Sequence, residues 1–273
     1  MKLLCLSLYV CASAPLGAAQ LSSQTLTEWD EYVRKADACA RNSPFTWIDA
    51  SPDRADRLRR GEVVVASAGG QTPLKVTGGL IHHWVGSAFI AGATAADAIA
   101  VTRDYDRYKL FYQPTVIGSN LLSRNGNIDR FSMLLMNKAV LTKTVVAGEY
   151  EASYVQLDPQ RWYSIAQTRT LQEIEDYGSK DARKLPPDEG VGYLWRLHSI
   201  ARFEERDGGV YIELEIMALS REVPGSLRWL VEPIVRRVSR NSLLLSLRQT
   251  RDAVTAAGKS QRLALGVEPP TRP

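Results

Sequence analysis

The sequence predicts an α+β domain, a curled antiparallel sheet closed by a last helix, and three observations predict it. Between residues 116 and 221 apolar and polar residues alternate at the two-residue period of strands. Hairpin-like turns interrupt that stretch at Asn125-Gly126-Asn127, Asp158-Pro159-Gln160 and Asp207-Gly208-Gly209. Successive strands joined by short turns pair antiparallel, since parallel pairing needs long crossovers. After Val223-Pro224-Gly225 the period becomes helical, with Leu227, Leu230, Val231, Ile234 and Val238 on one stripe and Leu243, Leu244 and Leu247 continuing it towards Ala257.

Taken in order, the chain opens with Lys2, an apolar run from Leu3 to Ala12, and small residues up to Ala19. That is the charged, apolar and small-residue order of a secretory signal, too short to span a bilayer, so residues 1–19 are expected to be removed and the product exported to a periplasmic or extracellular space. Tyr9-Val10 before Cys11 lack the small residues of a lipoprotein site, which makes lipidation there the lesser reading. Cys5 and Cys11 leave with the signal, and Cys39 alone makes no internal disulfide.

Residues 20–73 read as a helical extension. Thr25-Leu26-Thr27-Glu28 has capping-box spacing, and Leu26, Trp29, Val33, Ala36 and Ala40 fall on one helical face. Ser51-Pro52 starts a short helix that Gly61 ends. Glu62 to Ala66 is a strand. Residues 74–257 read as the main domain. A strand from Leu74 to Ile90 is interrupted at Gly78-Gly79. Thr94-Ala95-Ala96-Asp97 opens a helix carrying Val101, Tyr105, Tyr108 and Tyr112 on one stripe, which Pro114 stops. The strands are then Val116–Ser123, Arg130–Asn137, Val140–Leu157, Trp162–Glu175, Gly192–Glu205 and Val210–Arg221. The polar link from Tyr177 to Glu189 is a surface loop or a lid. Pro233 is expected to break or kink the last helix, and residues 258–273 form a polar tail expected to be disordered.

With 273 residues, 45% of them apolar, the chain can bury a sizeable core, and a net charge of +4 is too mild and dispersed for a nucleic-acid partner. The basic runs Arg57 to Arg60 and Arg236 to Arg240 read as solvated helix faces, with a transient contact to an anionic membrane surface as the sharper alternative.

Catalytic motifs are absent. His82 and His83 are adjacent on a strand and point to opposite faces, His198 stands alone, and no metal-ligand spacing occurs, so neither a metal nor a cofactor is expected. There is no nucleophile elbow and no phosphate-binding loop. Glu213 and Glu215 share a strand face, but Ile212, Leu214, Ile216 and Ala218 claim the inward side, which assigns the glutamates to solvent. Glu149 with Glu151, and Glu173 with Glu175, read the same way. In the strand from Gly192, Tyr193, Trp195, Leu197, Ala201 and Phe203 share one face, and Arg196, His198 and Arg202 the other. Arg196 then faces out or pairs with Glu173 or Glu215; a bulge that reversed the register would instead offer it to a ligand carboxylate or phosphate.

The order of elements resembles the helix-grip fold of the START and birch-pollen-allergen superfamily, which includes polyketide cyclases and coenzyme-Q-binding proteins, and in particular its exported bacterial members. The resemblance rests on Ala93 to Asp97, Asp104 to Tyr108, Tyr112 to Val116, the Gly208-Gly209-Val210-Tyr211 hairpin, Ser220 to Pro224 and the final helix, over roughly residues 75–257. It implies a ligand cavity between the sheet and the last helix. The expected function is therefore an exported binding protein for a hydrophobic, lipid-like or aromatic small molecule. Tyr154, Tyr193, Trp195, Trp229, Leu230 and Ile234 are expected to line the cavity, and Arg196 is a candidate polar anchor. A cyclase- or hydrolase-type enzyme using the same cavity, with no catalytic residue assigned, and an interaction module with a filled core are the alternatives. Oligomeric state is left open by the sequence.

Overall fold

The computed structural model describes residues 21–42, 46–70, 72–138, 143–223, 226 and 228–264; the expected signal segment lies outside them. One sheet organises the rest. Its strands run β1 (Val64–Ser67), β2 (Leu74–Val76), β3 (Gly79–Ala91), β4 (Val116–Asn125), β5 (Ile128–Lys138), β6 (Lys143–Gln156), β7 (Arg161–Glu175), β8 (Arg183–Lys184), β9 (Arg196–Arg206) and β10 (Gly209–Arg221). The order across the sheet is β1-β3-β10-β9-β7-β6-β5-β4, with β2 on β3 and β8 on β7, and the pairs are antiparallel. The strand ends differ from the sequence reading by a few residues, as boundary readings do.

Helices cover both faces. On one side lie α1 (Ser23–Asn42), α2 (Thr46–Asp49) and α3 (Pro52–Arg59). The stripe Leu26, Trp29, Val33, Ala36 and Ala40 packs on Ile81, Ile200, Met217 and Leu219, while Ile48 and Leu58 pack on Phe89 and Tyr211. This is the outer face. On the other side lie α4 (Ala95–Thr102), a 3₁₀ turn (Tyr105–Arg107), α5 (Tyr108–Phe111) and α6 (Arg228–Ala264). There Tyr105, Leu243, Leu247 and Val254 join Ala88, Ile90, Phe131, Phe203 and Ile212 in the main core. A curved antiparallel sheet with a long carboxyl-terminal helix on its inner face and extra amino-terminal helices is the helix-grip architecture.

Local chemistry accounts for the element ends. Thr94 and Asp97 form a capping box, the Thr94 hydroxyl accepting from Asp97 N at 3.1 Å while the Asp97 carboxylate accepts from Thr94 N at 2.9 Å. The other expected box does something else. Thr25 donates to Thr77 O at 2.7 Å and Glu28 accepts from Thr77 N at 2.9 Å, so these residues tie α1 to the β2–β3 turn rather than capping the helix. The stripe from Val101 to Tyr112 is split into α4, the 3₁₀ turn and α5. Pro233 breaks nothing: α6 runs through it. Proline there removes one bond, to the carbonyl of Trp229, close to a helix end where bonds are already missing. The helix also extends past 257 to Ala264, into the stretch expected to be a tail.

Candidate functional site: an apolar hollow on the inner face

Over part of the central strands burial runs opposite to the usual pattern, while at their other end the inward-pointing Phe203, Val210 and Ile212 are buried. On β10 the outward-pointing Tyr211, Glu213, Met217 and Leu219 are at most 1% exposed, whereas the inward-pointing Leu214, Ile216 and Ala218 remain partly accessible. On β9 the outward-pointing His198, Ile200 and Arg202 are buried, and the inward-pointing Leu197, Ser199 and Ala201 are not fully so. The helix above shows a matching division. Leu243, Leu247 and Val254 of α6 are 1% exposed, and an added Cβ at Gly86 would meet Leu247 at 2.7 Å. Between Trp229 and Arg240, by contrast, no described side chain is buried. The carboxyl-terminal half of α6 is seated on the sheet, and beyond it Leu197, Ser199, Ala201, Leu214, Ile216 and Ala218 form a partly accessible, largely apolar hollow in the inner face.

Register places three buried polar groups on the inner face. Trp84 of β3 shares a row with Ile216, Ser199 and Ala166. One step along, His82 faces Ala218, which faces Leu197. Thr168 extends that row: its hydroxyl accepts from Leu197 N at 2.8 Å and donates to Leu197 O at 2.9 Å, and Thr168 itself faces Tyr150. His82 Nε2 lies 3.0 Å from Ser220 Oγ. Trp84 Nε1, His82 Nδ1 and the Tyr150 hydroxyl are buried with no hydrogen-bond partner among the described residues. Burial pushes the His82 imidazole down to about 4, so it is neutral at pH 7. It pushes the Tyr150 hydroxyl up. Tyr150 ends a ring stack, with Tyr105 on Phe131 at 4.1 Å and Phe131 on Tyr150 at 5.2 Å between centroids.

Charges on this face are held. Asp129 is clasped by Arg103 (2.7 and 2.8 Å) and Arg124 (2.8 Å); burial raises its carboxyl, and the two guanidiniums outweigh that and lower it. Glu173 is not solvated, as its spacing with Glu175 had implied. It is buried and accepts from the backbone N–H groups of Val191 (2.8 Å), Gly192 (2.9 Å) and Tyr193 (3.3 Å), pinning the end of the link from β8 to β9. Gly190 must be glycine there, since its φ is +127° and a Cβ would meet the Glu173 carboxylate at 2.5 Å.

The expected lining residues are dispersed. Tyr154 is in the main core, its hydroxyl 2.8 Å from that of Tyr105 and donating to Thr102 O at 3.1 Å, and burial pushes it up to about 12. Trp195 lies on the outer face with Trp29, Ile200 and Leu219. The cause is a bulge: Trp195 N donates to Leu219 O although Arg196 is the residue paired with Leu219, so the alternation slips before Leu197. Arg196 pairs with Asp188 of the loop (2.5 and 3.1 Å), not with Glu173 or Glu215. Tyr193 is half-exposed and hydrogen-bonded to Asn137. Trp229 and Ile234 are exposed on the amino-terminal half of α6, 77% and 43% respectively; the side chain of Leu230 lies outside the described residues.

Sequence reasoning missed Trp84, His82 and Tyr150. A signal was present: they fall on the same parity as the apolar Ala88, Ile90 and Ala152. It also misassigned Glu213 and Glu215. Beneath α1 and α2 the Tyr32 hydroxyl donates to His83 Nδ1 (2.7 Å), and His83 Nε2 donates to Glu215 (2.8 Å). Arg202 donates to Glu215 (3.0 Å) and Glu213 (2.9 Å). Burial raises Glu213 to about 7 against the pull of Arg202, while for Glu215 the bonds from His83 and Arg202 outweigh burial and lower it. His198 bonds Asp37 of α1 at 2.7 Å. This cluster could shuttle protons, but it faces the amino-terminal helices, across the sheet from the hollow. A separate polar cleft of about 320 Å³ beside α3, β1 and α6 is lined by Trp47, Arg54, Arg57 and Arg240; Arg57 pairs with Glu62 at 3.0 Å and Arg54 stacks on Trp47 at 4.0 Å. Among the described residues no group of His, Cys, Asp and Glu could hold a metal ion.

Neither a protein-family description nor a curated protein matches the chain. Among solved structures it is similar to a STAR-related lipid transfer protein fragment of Xanthomonas axonopodis, at 16% identity over 71% of this chain and 98% of that one, with a TM-score of 0.44. Human STARD10 is similar at 10% identity, over 74% and 79% of the two chains, with a TM-score of 0.43. The Zhui aromatase/cyclase of a Streptomyces species follows at 11% identity, over 69% and 99%, with a TM-score of 0.36. Identities this low leave function to be read from the residues of this chain.

Proposed function

We propose that this chain is an exported carrier that holds a hydrophobic, lipid-like or aromatic small molecule between the inner face of the sheet and the amino-terminal half of α6. The observation that carries the reading is the inverted burial of β9 and β10: polar side chains are sealed on the outer face while apolar ones stay accessible on the inner face. Affinity comes from covering that apolar surface, at about 25 cal/mol per Å² before ordering costs. The signal-like segment at residues 1–19 supports export.

Filling the hollow tests this. Ser199 sits at the centre of the floor, between Ile216 and Ala166. Ser199→Phe is expected to abolish binding of the neutral fluorophore N-phenyl-1-naphthylamine while leaving urea-unfolding stability nearly unchanged. Were the interior filled, as in an interaction module, the same substitution would overpack it and cost about 1–3 kcal/mol, with no probe binding to lose.

A further inference from the structure

The sheet has an open edge at β1, apart from the hollow. Strand β1 pairs with β3 alone, and the register fixes which of its backbone groups are left over. Ala68 N donates to His83 O at 3.1 Å, just past the end of β1. Bonded and non-bonded pairs alternate along an antiparallel ladder, so Ala66 and Val64 also turn their N–H and C=O groups to β3. The far side of β3 agrees: Gly92 N donates to Gly208 O at 2.8 Å, which assigns the even-numbered residues of β3 to β10 and leaves His83, Val85 and Ser87 for β1. The backbone groups of Val65, and of Val63 by the same parity, therefore point away from the sheet, and no bond to them occurs among the described residues. The opposite edge strand, β4, has a backbone donor answered by its own chain, Asp106 accepting from Leu121 N at 2.9 Å.

The polar cleft of about 320 Å³ lies along this edge. It is lined by four consecutive residues, Val63 to Ala66. Strand side chains alternate between the two faces, so a space that meets all four runs beside the strand rather than over one face of it. Its walls come from both layers, Arg54 and Arg57 from α3 on the outer side and Arg240 from α6 on the inner side. Arg57 is engaged by Glu62 at 3.0 Å, while Arg54 and Arg240 form no ion pair among the described residues. Asp53 is the one carboxylate lining the cleft, against the three arginines. A free carboxylate or phosphate on this edge would meet its carbonyl oxygens as well as its N–H groups, whereas a peptide backbone offers a donor for each acceptor. A second copy of this chain, edge to edge, would bring arginine onto arginine. We propose that the β1 edge takes up an extended acidic segment of another protein. The segment adds as a strand on Val63 and Val65, and its carboxylates, alternating between the two sides, face Arg54 and Arg57 on one and Arg240 on the other.

Fluorescence polarisation of the labelled, end-blocked hexapeptide TVEEVT on the purified protein tests this. The peptide is expected to bind, more weakly as salt is added, and the neutral TVQQVT at least about fivefold more weakly, the worth of one or two partly exposed ion pairs. N-methylation of the two central amides keeps the charge and removes the strand bonds in either phase, and it is expected to abolish binding. Arg54→Gln and Arg240→Gln are each expected to weaken TVEEVT about twofold to fivefold. Arg240 is exposed, so its variant keeps the test open if loss of the Arg54 stack on Trp47 unfolds the protein. Hydrogen exchange at the Val65 amide should slow when the peptide is bound. Absence of binding, equal binding of TVQQVT, or binding that survives the methylation overturns the proposal, and leaves the arginines as guards of the edge against self-pairing. The binding of N-phenyl-1-naphthylamine in the hollow does not depend on any of these outcomes.

Discussion

The two faces of the sheet handle polarity in opposite ways. The outer face carries Arg202, Glu213, Glu215, His83 and His198 and is sealed beneath α1 to α3, each charge answered by a partner a few ångströms away. The inner face holds its charges at Asp129 and Glu173, each clasped by several donors, and is otherwise largely apolar and partly accessible around Leu197, Ala201, Leu214 and Ile216. Solvent access alone would produce the reverse. The outer face is an interior in which buried polar groups meet one another and tie α1 to the sheet through Tyr32 on His83 and Asp37 on His198. The inner face instead leaves apolar side chains of β9 and β10 partly accessible.

That contrast can be tested from its strongest point downward. Trp195→Ala opens a cavity in the outer cluster and is expected to cost about 3–5 kcal/mol in urea unfolding while the surviving folded fraction binds N-phenyl-1-naphthylamine normally; loss of the probe at unchanged stability would instead place Trp195 on the ligand.

The buried carboxyl comes next. Glu213 has its folded-state value raised from 4.5 to about 7, so the folded chain keeps a proton that the unfolded chain releases. Folding is therefore progressively disfavoured as pH climbs from about 4.5 to about 7 and is indifferent above that window. In Glu213→Gln this loss should be missing, so stability curves of the two proteins converge near pH 4.5 and separate towards pH 7, the variant lying higher. Parallel curves would show that Arg202 keeps Glu213 ionised throughout.

The smallest effect is expected at Trp229, which is 77% exposed. Its replacement by alanine should move the unfolding midpoint by no more than about 0.5 kcal/mol. A larger loss would mean that the amino-terminal half of α6 is seated after all.

How much of this was legible beforehand follows from what alternation can and cannot report. The α1 stripe, the strands, the hairpin turns and the closing helix were readable because periodicity and turn residues are local signals. Alternation along β10 separates two faces but does not say what covers each. With residues 20–73 read as an extension, Glu213 and Glu215 were assigned to water, although α1 and α2 lie over them. Parity counting failed at Trp195 because a bulge leaves no mark in the sequence there. His82 and Trp84 are hard to see for a related reason: neutral side chains on an otherwise apolar strand face carry no charge or cluster signal. The loop anchor at Glu173 depends on three consecutive backbone amides, and composition does not report backbone direction.

Strand β3 has a consequence for how the chain is made. It is the seam of the sheet, pairing Gly79 with Arg221 and Ala91 with Gly209, well over a hundred positions later. Closing so long a loop is entropically costly and slow. Until the last hairpin has been synthesised, β3 lacks its long neighbour, α1 has no platform of Met217 and Leu219 to sit on, and the outer ion cluster is missing two of its carboxylates. A nascent chain in that condition cannot lock prematurely. It stays open along this seam until its final third has been made.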